Sequence, residues 1–355
     1  MKVLLELLGS AYARGRGQAA GGQAVQVRAA TVARVEYARA EGLFDTDAMA
    51  YLAAQRTFLA AHDPEGMAEL LGISEGFDLP EPELFAHLHL GTLRDLRGGA
   101  TLVDGCSAWA LGQGPDGPLV VKNRDYSGEH LGIQCVTRHR GPDLTTGAML
   151  CLGSLGSPGA YSSGINAAGL ALADTQVAVA THRVGWLRYF LMTRLLARCA
   201  DVAQALAFLR AVPHAGGGTL VLADAGGATA AVELGARCVT VSQGPLVWRT
   251  NHFVSPELSA DTLPPGDDAI GDTSRARFGY LAHQLATKDW TARDAMRLMA
   301  THTNTAPGAA PICQHGSASN AQTISSAVYS CRLVQMRVCE GPPCAGTWQT
   351  FRLSA

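Results

Sequence analysis

The sequence predicts an α+β fold in which stacked antiparallel sheets are covered by helices on both outer faces. Three observations lead to this prediction. Residues 22–100 carry apolar side chains at helical spacing, short apolar runs alternate with glycine turns from Cys106 onward, and two further helical stretches interrupt those runs. Runs of strands separated by blocks of helix are typical of antiparallel α+β folds and not of alternating βαβ units.

The first part of the chain is predicted to be helical. Val25, Val32 and Val35 belong to an apolar pattern with the period of a helix, and the polar, glycine-bearing residues 94–100 end that pattern. We therefore expect a helical segment over residues 1–105 and a second unit that begins at Cys106 and continues to residue 355.

The second unit is predicted to be mostly strands. The strands are expected at Cys106–Leu111, Leu119–Val121, Ala148–Leu152, Leu170–Ala173, Thr219–Ala223, Ile324–Tyr329, Leu333–Val338 and Trp348–Leu353. Two amphipathic helical stretches are expected at Trp186–Val212 and Ser274–Met299.

Composition excludes several classes of function. The chain has 355 residues, 47% of them hydrophobic and 16% charged, so it can bury a large core. Its formal net charge of −2 gives no field that would attract nucleic acid or an anionic membrane, and no stretch reaches the roughly 18 apolar residues of a membrane span. Nine cysteines without Cys-x-x-Cys spacing favour mostly buried thiols in a reducing compartment, so we expect a cytoplasmic protein.

A hairpin is predicted over residues 106–126, with its turn centred on Pro115 and Asp116. This centre places Cys106 opposite Asp125. A thiol and a carboxylate on directly opposite strand positions have Cβ atoms about 4.5–5.5 Å apart, close enough for a hydrogen bond. The alternative is that Asp125 ends a strand and Cys106 fills the core.

The Gly105–Cys106 junction is a candidate site of self-cleavage. Glycine tolerates a strained backbone and leaves its carbonyl open to attack by the next residue's thiol. Attack by Cys106 on the Gly105 carbonyl would give a thioester, and hydrolysis would free the α-amino group of Cys106. That amine, with an ordinary pKa of about 7.7–8.0, is a suitable general base for its own thiol.

Five short motifs occur in an order that resembles one enzyme family. They are Gly9-Ser10-Ala11-Tyr12-Ala13-Arg14-Gly15-Arg16, Asp104-Gly105-Cys106-Ser107-Ala108-Trp109, Lys122-Asn123-Arg124-Asp125-Tyr126, Gly164-Ile165-Asn166-Ala167-Ala168-Gly169 and Thr250-Asn251-His252-Phe253. Together they resemble the acyl-coenzyme A:6-aminopenicillanic acid (isopenicillin N) acyltransferase family, which is related to choloylglycine hydrolases. The resemblance spans nearly the whole chain and implies a four-layer αββα N-terminal-nucleophile hydrolase fold, preceded by a pro-segment and cleaved autocatalytically before the cysteine.

The resemblance also implies roles for individual residues. Cys106 matches the nucleophile, Asp125 the carboxylate near its amine and the substrate, and Asn251 the amide of the oxyanion hole. Asn166 matches a second oxyanion donor, although Asn-Ala-Ala-Gly also suits a turn. Each preorganised donor to an oxyanion contributes on the order of 10²- to 10³-fold in rate.

Substrate contacts are predicted at four residues. Lys122 stands where bile-salt relatives carry an arginine, and Lys122 and Arg124 share the strand face opposite Asp125, where they either contact substrate or are solvated. Tyr126 belongs to the same motif. Gln314 lies where the family pattern has an arginine for the substrate carboxylate, and because an amide cannot form that ion pair, a penicillin-like substrate is disfavoured.

The sequence leaves the reaction open between hydrolysis of an N-acyl amide and acyl transfer from acyl-CoA to an amine, because both pass through an acyl-Cys106 thioester. An uncleaved, non-catalytic binding protein is the alternative of another class. We expect a small-molecule N-acyl amide or acyl thioester as substrate, cleaved segments that remain associated, and no cofactor or metal. Homo-oligomerisation is left open.

Three further patterns are weighed against this interpretation. A papain-like site would require a helix beginning at Cys106 and a partner such as His252. Residues 112–117 fit Gly-x-Gly-x-x-Gly but lead into a predicted strand instead of a helix, which argues against nucleotide binding. His87 and His89 point to different faces of a helix, which argues against a shared metal.

Overall fold

The computed structural model describes residues 4–98, 105–264, 269–305, 308–316 and 321–353, with the backbone alone for 269–272. The connection at residues 99–104, including Asp104, lies outside the described residues. The helices within them are α1 (Ala11–Gly17), α2 (Ala24–Ala40), α3 (Thr46–His62), α4 (Pro64–Phe77), α5 (Glu81–Leu96), α6 (Arg188–Arg198), α7 (Val202–Ala211), α8 (Pro256–Ser259), α9 (Ala269–Leu285) and α10 (Ala292–Met299).

The strands form two sheets. They are β1 (Leu5–Leu8), β2 (Gly105–Leu111), β3 (Leu119–Ser127), β4 (Gln134–Arg140), β5 (Ala148–Ser154), β6 (Ser163–Asn166), β7 (Ala171–Thr175), β8 (Thr219–Ala223), β9 (Thr229–Leu234), β10 (Val239–Gln243), β11 (Leu246–Arg249), β12 (Ala321–Ser330), β13 (Gln335–Glu340) and β14 (Trp348–Arg352). The eight-stranded sheet has the order β1-β4-β5-β6-β7-β8-β9-β10, and the six-stranded sheet has the order β11-β2-β3-β12-β13-β14.

Three apolar clusters show that the molecule has four layers. One lies between the sheets, where Ala108 and Val120 of the smaller sheet face Leu150 and Val221 of the larger one. A second packs helices α2–α7 on the outer face of the eight-stranded sheet. The third packs α9 and α10 on the outer face of the six-stranded sheet, around Trp109. The αββα fold class predicted from the sequence is confirmed.

Residues 4–98 contribute to the larger sheet as well as to the helices. Strand β1 pairs with β4 in parallel, with Leu5 opposite Thr137. The predicted helical region is confirmed by α2–α5, but this parallel edge strand was not predicted. A four-residue strand with one buried side chain, Leu7, has too short an apolar pattern to be recognised.

Helices in the second unit are shorter than predicted. The single helix expected at Trp186–Val212 is two helices, α6 and α7, and Asp201 is the N-cap of α7. The break was not recognised because no Pro or Gly separates the two helices. No helix among the described residues is both long enough and apolar enough to cross a membrane.

Candidate active site

Cys106 lies near the start of strand β2, and its backbone groups are held by side chains of other residues. The Cys106 N–H donates to Asn251 Oδ1 at 2.9 Å, and Arg277 Nη1 donates to the Cys106 carbonyl oxygen at 2.6 Å. The residue is 5% exposed. Two polar side chains, Asn251 and Arg277, therefore fix both the backbone nitrogen and the carbonyl of Cys106 inside the protein.

Asn251 follows strand β11 and presents its carboxamide oxygen to the cysteine. That oxygen also accepts from Arg277 Nη2 at 2.9 Å, while Asn251 Nδ2 donates to the Gln176 carbonyl at 2.9 Å. The Asn251 backbone N–H donates to Ser274 Oγ at 2.8 Å. The oxygen of the amide, and not its NH₂ group, therefore faces Cys106 N.

Arg277 belongs to this site and was missed by sequence reasoning. It is fully buried on α9 and also donates from Nη1 to Ser107 Oγ at 3.0 Å. Its sequence signature is present: Arg277, Leu281 and Leu285 are four residues apart, so the arginine continues the apolar stripe of the helix. A charge in an apolar stripe must find buried partners, which here are the atoms of the site.

The predicted hairpin forms, but its register differs by one residue. Gly105 pairs with Asp125, and Cys106 pairs with Arg124. The predicted pair of Cys106 and Asp125 is therefore wrong. Because directly opposite residues point to the same face of a sheet, Cys106 shares a face with Arg124, and Asp125 lies on the other face.

The register changes because the turn sits off-centre in its connection. A β-turn at residues 114–117 is closed by the Gly117 N–H on the Gly114 carbonyl at 2.9 Å, as the sequence predicts. However, two residues separate it from β2 and only Pro118 separates it from β3. Pro118 has no N–H for the ladder, and the Gly112 N–H donates to the Pro245 carbonyl at 2.9 Å instead.

Asp125 remains beside the Gly105–Cys106 bond, on the side of Gly105. It is fully buried, and its carboxylate accepts from Thr323 Oγ1 at 2.6 Å and from Gln314 Nε2 at 3.4 Å. Burial raises the pKa of Asp125 above its ordinary value of 3.8, and the Arg277 guanidinium and the hydroxyl of Thr323 offset part of that rise. The predicted substrate contact Gln314 thus reaches Asp125.

Lys122 does not line a free face of the hairpin. Its Nζ forms a buried ion pair with Asp174 of β7 and donates to the Asp174 carbonyl at 2.6 Å and the Ser162 carbonyl at 3.3 Å. Arg188 Nε contacts the other Asp174 oxygen at 2.5 Å. Burial would raise the pKa of Asp174, but the two cations hold it below 3.8. Lys122 therefore ties one sheet to the other, and the predicted substrate contact does not fit this position.

Arg124 and Tyr126 form part of a cluster of cations and rings. The Arg124 guanidinium lies 5.4 Å from the Tyr126 ring centre and 5.0 Å from the Tyr161 ring centre. The Arg34 guanidinium of α2 also lies 4.7 Å from the Tyr126 ring centre. Arg124 Nη1 also donates to Ser154 Oγ at 3.1 Å. Arg124 lies directly opposite Cys106, so of the two predicted cations it is the one beside that cysteine.

Asn166 has a different role from the one predicted. Its Nδ2 donates to the Leu196 and Cys199 carbonyls at 2.9 and 2.7 Å, and its Oδ1 accepts from the Ala168 and Leu170 backbone N–H groups, both at 3.1 Å. All four hydrogen-bonding positions of the amide are used by backbone. Asn166 therefore fixes the turn between β6 and β7, and the expected oxyanion donor does not fit this geometry.

The competing patterns are not supported by the structure. Residues 105–111 form a strand, whereas a papain-like cysteine needs a helix at that position. His252 bonds through Nδ1 to Ser274 Oγ at 2.8 Å, and burial lowers its pKa to about 4. Residues 112–117 connect β2 to β3 and precede no helix, so they form no phosphate cradle.

Residues 113–344 match the model of the family described as acyl-coenzyme A:6-aminopenicillanic acid acyl-transferase. No curated protein sequence is significantly similar to the chain.

Several solved structures are similar at low identity. A mutant conjugated bile acid hydrolase from Clostridium perfringens is 13% identical over 70% of this chain and 97% of its own, with a TM-score of 0.43. Penicillin V acylase from Agrobacterium tumefaciens is 13% identical over 70% of this chain and 86% of its own, with a TM-score of 0.42. The N-acylethanolamine-hydrolyzing acid amidase ortholog of Caenorhabditis elegans is 13% identical over 64% of this chain and 94% of its own, with a TM-score of 0.42.

Proposed function

Because the chain belongs to the acyl-coenzyme A:6-aminopenicillanic acid acyltransferase family, we propose that it hydrolyses the amide bond of a small N-acyl substrate through a thioester on Cys106. One observation carries the proposal. The backbone nitrogen and carbonyl of Cys106 are each held by a buried polar side chain, Asn251 and Arg277, at the start of a buried strand. A cysteine that only fills a core needs neither.

We propose that the enzyme activates itself by cutting between Gly105 and Cys106. The Cys106 thiol attacks the Gly105 carbonyl carbon, the C–N bond breaks as the nitrogen takes a proton, and water then hydrolyses the thioester. Residues 1–105 end in a carboxylate, and residue 106 gains a free amine. Two features support lasting association of the segments: β1 pairs with β4, and α2–α5 share an apolar cluster with the eight-stranded sheet.

In turnover the freed amine acts as the base for its own thiol. It accepts the Sγ proton while Sγ bonds to the substrate's acyl carbon, and it returns that proton to the departing amine as the C–N bond breaks. Water attacks the resulting thioester by the same proton route and releases the carboxylic acid and the thiol. A general base of this kind is effective when its pKa is near the working pH.

Asn251 and Arg277 are proposed to position the nucleophile. With Asn251 Oδ1 accepting an N–H of residue 106, the lone pair of the neutral amine is left for the thiol. Arg277 bridges the Cys106 carbonyl and Asn251 Oδ1, so it fixes both partners at once. The role of Asn251 as an oxyanion donor stays a prediction, because its Nδ2 donates to the Gln176 carbonyl in this structure.

Asp125 is proposed to act on the Gly105 side of the cleavage site. Its register opposite Gly105 puts a buried carboxyl group next to the residue whose carbonyl is attacked. After cleavage the same group would face the space vacated by the chain and the ammonium form of the new amine. Arg124, with Tyr126 and Tyr161, is proposed to contact the substrate beside Cys106.

Acyl transfer from acyl-CoA to an amine is the second candidate, and the family match favours it. The two reactions differ in the acceptor for the acyl group, which is water in one and an amine in the other. Purified protein, shown by mass to begin at Cys106, should be offered N-acyl amino compounds and, separately, acyl-CoA with and without amine acceptors. Chromatography then resolves free acid from transferred amide.

Release of free amine and acid from N-acyl compounds supports hydrolysis, and amide formed only when an amine is added to acyl-CoA supports transfer. Cys106→Ala should do neither. If wild-type protein binds these compounds without turnover or an acyl-enzyme mass increase, it is a binding protein and the proposed activity is wrong.

A further inference from the structure

Three metal-ligating side chains, His302, His315 and Cys344, meet at the surface beside the β13–β14 turn, and a fourth, Cys313, adjoins two of them. His302 follows α10, Cys313 and His315 precede β12, and Cys344 lies between β13 and β14. The ligand atoms of His302, His315 and Cys344 all lie within 4.8 Å of one another. Cys313 Sγ lies 3.6 Å from Cys344 Sγ and 3.7 Å from His315 Nε2, and Cys344 Sγ lies 3.3 Å from His315 Nε2.

The three separations among Cys313, His315 and Cys344 suit a tetrahedral zinc site, and His302 completes it by moving closer to Cys313. With Zn–S bonds of about 2.3 Å and Zn–N bonds of about 2.0–2.1 Å, tetrahedral ligands stand about 3.8 Å apart for two sulfurs and about 3.6 Å apart for sulfur and nitrogen. The measured separations of 3.6, 3.7 and 3.3 Å lie close to these values. Two thiolates and two imidazoles are a common ligand set of structural zinc.

The loops that carry the ligands are built to hold them. The His302 backbone N–H donates to Thr305 Oγ1 at 2.9 Å, and the Cys313 N–H donates to the Thr301 carbonyl at 2.7 Å. Around Cys344, a turn is closed by the Gly346 N–H on the Pro342 carbonyl at 3.0 Å. Cys313 is buried, whereas His315 and Cys344 are exposed, so an ion can enter from solvent and meet a ligand fixed from below.

We propose that His302, Cys313, His315 and Cys344 bind one divalent ion of the zinc class. A bound ion displaces the thiol protons of Cys313 and Cys344 and binds both sulfurs as thiolates. The sequence does not suggest this site, because its ligands are spread over 43 residues in two connections, α10–β12 and β13–β14, without paired spacing.

The site is connected to the candidate active site through one residue. Gln314, between two of the ligands, donates from Nε2 to Asp125 Oδ2, and its backbone N–H donates to Thr323 Oγ1 at 2.8 Å. Thr323 in turn donates to Asp125 Oδ1. An ion on Cys313 and His315 would fix the segment that supports the Asp125 carboxylate, and its role would be structural because no ligand position lies at Cys106.

The test is metal binding by purified wild-type protein under reducing conditions. The protein is stripped of metal with a chelator and dialysed against Zn²⁺ or Co²⁺. Bound metal is measured by elemental mass spectrometry, and bound Co²⁺ is also measured by visible absorption. We expect about one equivalent per chain, with thiolate-to-cobalt charge transfer and tetrahedral d–d bands. The double variant His302→Ala, Cys344→Ser should retain less than about a tenth of an equivalent.

Matched variants keep the test specific. His283→Ala with Cys238→Ser removes an exposed histidine and an exposed cysteine elsewhere, and it should retain the metal. Cys106→Ala should also retain it. Wild-type protein that binds no metal while reduced overturns the proposal, as does equal binding by the cluster variant. Formation of a Cys313–Cys344 disulfide without metal binding would assign the pair to redox chemistry and also overturn it.

Discussion

Replacing Lys122 with methionine distinguishes between two roles of this side chain, an ion pair between the sheets and a substrate contact. Methionine keeps much of the length of the side chain but leaves Asp174 buried without one of its two cations. Breaking a buried pair by removing one partner costs about 3–5 kcal/mol. Since Arg188 still contacts Asp174, we expect the lower end of that range, about 3 kcal/mol.

This loss converts into a measurable change in melting temperature. At about 2.1 cal/mol/K of unfolding entropy per residue, 355 residues give about 0.75 kcal/mol/K, so about 3 kcal/mol lowers the Tm by about 4 °C. Lys288 is the matched control, because it also pairs with an aspartate, Asp294 at 2.9 Å, but its side chain is 46% exposed. An exposed pair contributes about 1 kcal/mol or less, so Lys288→Met should lower the Tm by about 1 °C or less.

The assay is thermal unfolding followed by circular dichroism, with steady-state kinetics at a temperature where both variants are folded. We expect Lys122→Met to lose stability and to keep the KM of the wild type. Unchanged stability together with a large rise in KM would refute the ion-pair interpretation and restore Lys122 as a substrate contact.

Three further predictions concern the residues around Cys106. Asn251→Ala should lower kcat by about 10²-fold or more with the fold intact, and Asn251→Asp should be no better, because a carboxylate there favours the protonated amine; a near-normal kcat for the alanine variant would remove Asn251 from the site. Arg277→Lys loses at least one charged hydrogen bond, so kcat should fall about 10- to 100-fold and the pH profile of kcat/KM should move; a change in KM alone would deny the positioning role. Burial raises the pKa of Asp125, so its ionisation opposes folding as pH rises above 3.8. Asp125→Asn should therefore be at least as stable as wild type at pH 7, while its kcat/KM falls. Superimposable pH profiles of kcat/KM for the two proteins would place Asp125 outside the site.

Much of the fold follows from patterns within single elements. The period of the apolar residues predicts α2–α5, and the run at Thr219–Ala223 predicts β8 with its observed bounds. Strands β1, β4, β6, β9, β10 and β11 were not predicted, and for β1, β6 and β11 the reason is that four residues are too few for a period to appear. The one-residue error in the hairpin has a tertiary cause as well, since Asp116 Oδ2 in the turn accepts from the Ala292 N–H at the start of α10.

The candidate site could be predicted only in part. Motifs placed Cys106, Asn251 and Asp125 together, and the structure keeps them in one region through Arg277. What single residues cannot show is the partner of a buried polar group. Asn166 and Lys122 have the same functional groups as residues of a catalytic site. The Asn166 amide, however, donates to backbone carbonyls, and the Lys122 ammonium pairs with Asp174.

Cleavage is proposed to make Cys106 the first residue of its chain, and intact-protein mass spectrometry measures this. Scaling 37.1 kDa by 105 of 355 residues places the two pieces at about 11 and about 26 kDa. We expect wild-type protein to show both masses, the larger piece to begin at Cys106 by N-terminal sequencing, and Cys106→Ala to show one uncut mass. Wild-type protein that stays whole while it hydrolyses N-acyl amides would contradict the account.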